Sequence, residues 1–176
     1  AFAKSNFEHY KVLTIRSATI HNTGASIVQE LAFTLAIANE YLHQLKERGH
    51  KLDDIFNHIQ TELSVGGSYF QEIAKMRAWR WLWATLANQY ATKQEANACY
   101  VVAKSSEWNK SVYDPYVNML RLSTESMAAA ISSADEIQID AYDKGFRPSN
   151  EFSERISRNL HHLLQHESYL DKSVDA

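Results

Sequence analysis

Ala98-Cys99-Tyr100-Val101-Val102-Ala103 is the stretch that decides the fold class. A strand with one face in water alternates apolar and polar residues. This one is apolar almost throughout, as a strand covered on both faces of a parallel sheet must be. Three other short runs lie on either side of it. Tyr10-Lys11-Val12-Leu13-Thr14-Ile15-Arg16 is rich in β-branched residues. Thr61-Glu62-Leu63-Ser64-Val65 stops at Gly66-Gly67, and Glu136-Ile137-Gln138-Ile139-Asp140 alternates.

Helical spacing fills the gaps. Residues 26–48 put Ile27, Leu31, Leu35 and Ala38 on one face and end at Gly49, a helix-stopping residue. A short helix is predicted over 52–57. Residues 68–91 place Ile73, Met76, Trp79, Trp83, Leu86 and Tyr90 in one stripe. Asp114 reads as the cap of a helix that has Pro115 in its first turn and runs to about residue 132. Ser149 reads as the cap of the last helix, with Glu151 and Glu154 near its positive end. The order is β-α four times over, which implies an α/β fold of parallel strands with crossover helices. Four βα units make half of an eight-unit barrel, and by pattern alone they fit an open sheet equally well.

The 176 residues amount to one domain by length, with 45% hydrophobic and 22% charged residues. A net charge of -3, with lysine and arginine scattered, gives no general attraction to nucleic acid or an anionic membrane. No apolar run approaches the roughly 18–20 residues that span a bilayer. The first residues lack the basic and apolar regions of a signal peptide. One cysteine, Cys99, excludes an internal disulfide and a cysteine-rich zinc site. A cytoplasmic protein is the expectation. The chain begins without Met and ends at Ser173-Val174-Asp175-Ala176 just after a helical pattern, so it is expected to be an excised piece, residues 1–176 forming a single partial domain. A half-barrel leaves two strand edges and one sheet face uncovered, so self-association or a partner is expected.

Active residues of parallel α/β folds sit at the carboxyl ends of the strands. Those ends hold Ser17, Ala18, Thr19 and His21, then Gln60 and Glu62, then Ala103, Lys104 and Ser105, then Asp140 and Asp143. Glu62, Lys104 and Asp140 can face one another across a barrel mouth. A lysine between two carboxylates can transfer protons, and a structural ion cluster is the commoner use of such a trio. His162 and His166, four apart beside Glu167, have metal-ligand spacing but no evident third ligand, so a solvent-facing pair is the expectation. Cys99, inside an apolar strand, reads as a buried inert thiol. Trp79 and Trp83 share a face while Trp81 points nearly opposite, in a stripe with Phe70 and Ala74; that stripe packs on a neighbouring helix or on another subunit. No phosphate-binding loop, dinucleotide fingerprint, nucleophile elbow or HExxH motif is present.

Several stretches, in order, resemble the acyl-CoA-binding barrel of the methylmalonyl-CoA mutase family. They are Gly24-Ala25 with Gln29-Glu30-Leu31-Ala32-Phe33-Thr34-Leu35-Ala36, then Tyr69-Phe70-Gln71-Glu72-Ile73-Ala74-Lys75-Met76-Arg77-Ala78, Trp108, Asp114-Pro115-Tyr116-Val117-Asn118-Met119-Leu120-Arg121, and Phe152-Ser153-Glu154-Arg155-Ile156-Ser157-Arg158-Asn159. The ending matches through Glu167-Ser168, Asp171-Lys172 and Val174-Asp175. The resemblance implies the C-terminal half of a TIM-type (β/α)8 barrel, its last four βα units.

The resemblance also locates departures. Where catalytic members carry Gly-Tyr-His, this chain has Ser17, Ala18 and Thr19, so the histidine implied to hold the substrate thioester is replaced by Thr19. His21, two residues on, lies roughly 6–7 Å away along a strand. In the next strand the family's Arg-Leu-Ser-Phe-Phe falls on His58, Ile59, Gln60, Thr61 and Glu62, and Glu62 brings charge to an apolar wall. In the third, His and Gln become Val102 and Lys104. Lys110-Ser111-Val112-Tyr113-Asp114-Pro115 resembles the family's small subunits. The expectation is therefore the non-catalytic small subunit of a heterodimer, partnered by a homologous catalytic large subunit. The complex would use adenosylcobalamin to interconvert methylmalonyl-CoA and succinyl-CoA. No cobalamin-binding domain, with its Asp-x-His-x-x-Gly signature, is legible here, so no cofactor is expected on this piece. The alternatives are a divergent catalytic mutase, in which Glu62 and Lys104 recognise a polar acyl group, and a module that binds CoA esters without turnover.

Overall fold

In the computed structural model, which describes residues 10–90 and 98–172, the apolar runs become four strands. They are β1 (Leu13–Arg16), β2 (Ile59–Val65), β3 (Tyr100–Ser105) and β4 (Glu136–Gln138). The helices are α1 (Ala18–Asn22), α2 (Ile27–Glu47), α3 (Leu52–Asn57), α4 (Tyr69–Gln89), α5 (Val117–Ile131) and α6 (Glu151–His162). A π-helical turn (Leu163–Glu167) and a 3-10 turn (Leu170–Lys172) follow. The strands form one sheet in the order β1-β2-β3-β4, every pair parallel. Sequential order with helical crossovers is how consecutive units of a TIM-type barrel are laid out, whereas a doubly wound sheet reverses its order. The fold is part of such a barrel.

Strand periodicity separates two faces. Ile15, Ile59, Leu63, Val65, Val101 and Ala103 point to the helix layer and join its core with Leu31, Leu42, Met76, Trp79, Trp83 and Ala128. Trp79 and Trp83 lie 5.9 Å apart, and Phe56 meets Trp83 edge-on at 5.7 Å. The opposite face presents rows across the sheet: Thr14-Gln60-Tyr100, Arg16-Glu62-Val102-Glu136 and Ser64-Lys104-Gln138. β2 is buried along nearly its whole length, as its central place demands.

The element order matches the periodicity, with shifts at the ends. β1 starts at Leu13 rather than Tyr10, because both Val12 and Leu13 donate to the single carbonyl of His58. β4 stops at Gln138, because Asp140 N–H turns to the Ser105 hydroxyl at 3.0 Å. Asp114 does not cap the fifth helix: it and Pro115 lie in a turn, and α5 begins at Val117 after Tyr116. The last helix is capped by Asn150, whose side chain accepts from Phe152 N and Ser153 N, while Ser149 bonds Glu154. Ser26 caps α2 in a full capping box with Gln29, and Gly49 follows that helix at φ +81°. The short α1 carries no periodic signal in so few residues.

Candidate functional site: the carboxyl ends of the strands

Thr19 is exposed on α1, off the sheet. His58 precedes β2, its Nδ1 2.8 Å from the Tyr10 carbonyl. Gln60 donates to Thr14 Oγ1 at 2.9 Å on the barrel-facing side. Glu62 is 7% exposed on the same side and sits 3.9 Å from Arg16 Nε. Val102 is buried beside it, and Lys104 is half-buried one row further on. Glu62, Lys104 and Asp140 do not form the expected trio. Glu62 pairs with Arg16, and Asp140 pairs with Lys144 at 2.9 Å, while Lys144 also reaches Glu107 at 2.6 Å. The trio assumed that strand-end charges seek one another across the sheet; each carboxylate instead found a cation nearer its own loop or edge.

A different set of residues is brought together beneath the helices. Glu30 of α2 is fully buried and accepts from four groups. Ser17 Oγ (2.5 Å) and Ser64 N (3.3 Å) reach Oε1, while Lys75 Nζ (2.9 Å) donates to Oε2 and His21 Nδ1 lies 3.0 Å from it. His21 Nε2 lies 2.8 Å from Ser106 Oγ, and Lys75 also donates to the Ser64 carbonyl at 2.5 Å. Glu72 Oε2 lies 2.6 Å from Lys75 Nζ as an ion contact without hydrogen-bond geometry. Ser17 follows β1, Ser64 belongs to β2 and Ser106 follows β3, so one network pins three strand ends. Burial pushes the Glu30 carboxyl up, but His21, the Lys75 charge and Ser17 together hold it below its ordinary value.

A second buried pair adjoins it. Glu125 of α5 takes Lys110 Nζ at 2.7 Å and Asn109 Nδ2 at 2.7 Å. Burial, outweighing Lys110, raises the Glu125 carboxyl, and burial lowers the Lys110 ammonium. Asn118 donates to the carbonyls of Ser111 (2.9 Å) and Tyr142 (3.1 Å), joining the loops after β3 and β4.

Between α2 and α4 a cavity of about 850 Å³ opens above the first network. Leu31, Ala74 and Ala78 line its wall, and His21, Glu72 and Lys75 its floor. Gly66 and Gly67 allow the close packing there: a Cβ on Gly66 would lie 3.2 Å from Glu72 Oε1, and one on Gly67 3.3 Å from Asn109 Nδ2.

The helical periodicity carries a signal for Glu30, Glu72 and Lys75, which lie away from the strand ends in the sequence. Glu30 and Thr34 share the stripe of Ala38 and Leu42, and Glu72 and Lys75 share that of Trp79 and Trp83. A charge on the core stripe of a helix is a buried charge that needs a partner. Elsewhere, the His162 and His166 rings stack at 5.9 Å, and no group of three or more His, Cys, Asp or Glu among the described residues is placed to hold a metal ion. Cys99 is buried, 3.3 Å from Thr61 Oγ1, and burial raises its thiol. Trp81 is 73% exposed and Phe70 81%, so most of this stripe is left open among the described residues. No helix among the described residues is long and apolar enough to cross a membrane.

Comparison with known proteins adds to this geometry. The family model described as methylmalonyl-CoA mutase matches residues 1–176. The chain belongs to the methylmalonyl-CoA mutase family. It is 40% identical over 168 residues to the methylmalonyl-CoA mutase small subunit of Porphyromonas gingivalis, covering 94% of this chain and 27% of that protein. It is 30% identical to methylmalonyl-CoA mutase of Cereibacter sphaeroides, covering 99% of this chain and 25% of that protein. It is 29% identical to the methylmalonyl-CoA mutase large subunit of P. gingivalis, covering 99% and 24%. The chain thus spans about a quarter of the length of the curated relatives it matches. Members named small subunit, large subunit and plain mutase all align with this piece. Within this family, the stretches that carried the resemblance are those that hold the buried network: Glu30 lies in the first, Glu72 and Lys75 in the second.

Proposed function

We propose that this chain is part of the small, non-catalytic subunit of an adenosylcobalamin-dependent methylmalonyl-CoA mutase. It would be a single partial barrel domain that supplies structure to a heterodimer with a catalytic large subunit in the cytoplasm. The observation that carries the reading is Glu62. A carboxylate set in the middle row of the barrel-facing side, nearly buried and with a single arginine at 3.9 Å, opposes the passage of an anionic CoA ester. Thr19 offers no imidazole, and Val102 and Lys104 stand where the resemblance assigns the substrate-contacting His and Gln. The contrast of 40% identity to a named small subunit with 29% to the large subunit of the same organism points the same way.

Cobalamin is assigned to other parts of the complex, where it would supply radical chemistry. The histidines near the strand ends do not suit it: His21 has both ring nitrogens engaged, and His58 is turned to the Tyr10 carbonyl. Isolated copies of this piece are expected to self-associate through the uncovered strand edges.

Lys104 favours a second reading. It is half-buried on the barrel-facing side, with no hydrogen bond or ion pair to a described residue. An ammonium there, whose charge also acts on Glu107, suits capture of a CoA ester without turnover.

The test is to purify both full-length subunits, separately and together, and follow conversion of methylmalonyl-CoA with adenosylcobalamin. The complex and the large subunit carry all turnover, and Glu62→Leu in the small subunit leaves kcat of the complex unchanged. Turnover by the small subunit alone overturns the proposal. Calorimetric binding of an acyl-CoA to the small subunit, lost in Lys104→Met, would establish the second reading instead.

A further inference from the structure

We propose that the groove between α2 and α4 receives a lysine or arginine side chain of the partner subunit, whose charge completes the buried ion network at Glu72. The proposal rests on the two-subunit reading above and adds to it a surface and a partner chemistry.

The polar layer under α2, α4 and α5 holds three buried carboxylates, Glu30, Glu72 and Glu125. Against them stand two ammonium groups, Lys75 and Lys110. Lys110 is held by Glu125, and Lys75 donates to Glu30 and to the Ser64 carbonyl. The imidazole of His21 uses its two nitrogens on Glu30 and Ser106. Glu30 is therefore saturated, while Glu72 has only the Lys75 ammonium at 2.6 Å, which it shares with Glu30. Glu72 is 3% exposed, and its Oε2 has no hydrogen-bond partner. A buried carboxylate in that condition is costly unless something supplies donors.

The position of Glu72 says from where. It lines the cavity, at the end where Gly66 and Gly67 strip the loop to bare backbone. The cavity walls are small or apolar, and large apolar groups stand around its opening: Val28 is 75% exposed and Trp108 64%. An apolar channel with a carboxylate at its floor matches the stem and head of a long basic side chain, which buries its methylenes and carries charge at the tip. Exposed aromatic and aliphatic groups around a partly charged pocket are the composition of an interface anchor point. An open groove ringed in this way fits a protein segment better than a free amine, which a closed cavity would hold.

The experiment uses the full-length subunit and its full-length partner, with the affinity of the pair measured by sedimentation or interferometry. Glu72→Gln removes the charge and keeps the shape, and should weaken the pair by at least about tenfold. Val28 is exposed, so changes there leave the fold alone and keep the proposal testable if Glu72→Gln fails to fold. Val28→Lys places a like charge beside the incoming cation and should weaken the pair. Val28→Glu should leave it unchanged or tighten it. Equal weakening by both Val28 variants overturns the basic occupant, because lost apolar contact then explains the effect. Unchanged affinity in Glu72→Gln overturns the site. So does a result in which Glu72→Gln destabilises the isolated subunit but not the pair, since the groove is then filled by the subunit's own chain. Wild-type subunits that never associate would instead defeat the two-subunit reading.

Discussion

Lys75→Met is the most incisive single change in this chain. Methionine keeps the length and apolar stem of lysine and removes only the ammonium. That ammonium is fully buried between Glu30 Oε2 at 2.9 Å, Glu72 Oε2 at 2.6 Å and the Ser64 carbonyl. The variant leaves two buried carboxylates with no cation between them. Removing one partner of a buried ion pair costs about 3–5 kcal/mol, against total stabilities of about 5–15 kcal/mol. With a urea slope of about 2 kcal/mol per molar, the midpoint should fall by roughly 1.5–2.5 M. The pH dependence follows by sign. The folded-state Glu30 carboxyl lies below its ordinary 4.5, so its contribution is present above that pH and is lost as pH falls through the folded value. Removing the Lys75 charge raises that folded value, so the acid loss should shrink or reverse in the variant. Adding Glu30→Gln to Lys75→Met should recover part of the loss, with a coupling of about 0.5–3 kcal/mol. A cost below about 1 kcal/mol, or simple additivity of the two changes, would refute the claim that this cluster is ionised and cooperative.

Four further expectations can be checked quickly. Trp79→Ala should cost about 3–5 kcal/mol, whereas exposed Trp81→Ala should stay within about 0.5 kcal/mol; thermal melts separate them. Gly24→Ala should cost at least about 1 kcal/mol by denaturation, because φ is +91° and its Cβ would meet the Trp108 ring at 3.2 Å. Cys99 should react with a disulfide reagent only at the rate of opening, since burial keeps its thiol protonated; rapid reaction at neutral pH would contradict its placement. The folded-state Glu125 carboxyl lies above 4.5, so wild-type stability should decline relative to Glu125→Gln as pH rises from about that value through the folded one; a pH-independent difference in urea midpoints would contradict the burial of Glu125.

Most of the fold was legible because its signals are local. Apolar runs, a capping box at Ser26 and a glycine at Gly49 each act within a turn or a strand. The fifth helix start was misplaced for the same reason: Asp114-Pro115 has the right chemistry for a cap, but Asn118 is drawn to Ser111 and Tyr142, contacts made across the chain, and the helix waits until Val117. The buried network was less legible. Ser17 and His21 stood out as strand-end residues, but Glu30, Glu72, Lys75 and Ser106 come from separate units that only the packed sheet brings together. The supposed trio of Glu62, Lys104 and Asp140 failed through distance, since Arg16 and Lys144 lie closer to the two acids.

The two faces of the sheet would let a chain keep the helix-layer frame while barrel-facing residues vary. Glu30, Glu72, Lys75 and Ser106 act in the helix layer, where a single lost partner strands a buried charge. Substitution there is costly whatever the barrel does. Arg16, Gln60, Glu62, Val102 and Lys104 face the other way, into space shared with no core residue of the helix layer. A charge placed at Glu62 is tolerated once Arg16 is beside it, without disturbing Leu63 or Thr61 on either side, because strand alternation sends those side chains to the helices. A frame held from outside and an interior free to vary would suit the structural role proposed above. The prediction that separates this from coincidence is asymmetric. Neutral substitutions at Gln60, Glu62 and Lys104 should leave melting temperature nearly unchanged, while any one at Glu30 or Lys75 should lower it steeply. If the two sets melt alike, the faces are not independent and the separation of frame from chemistry fails.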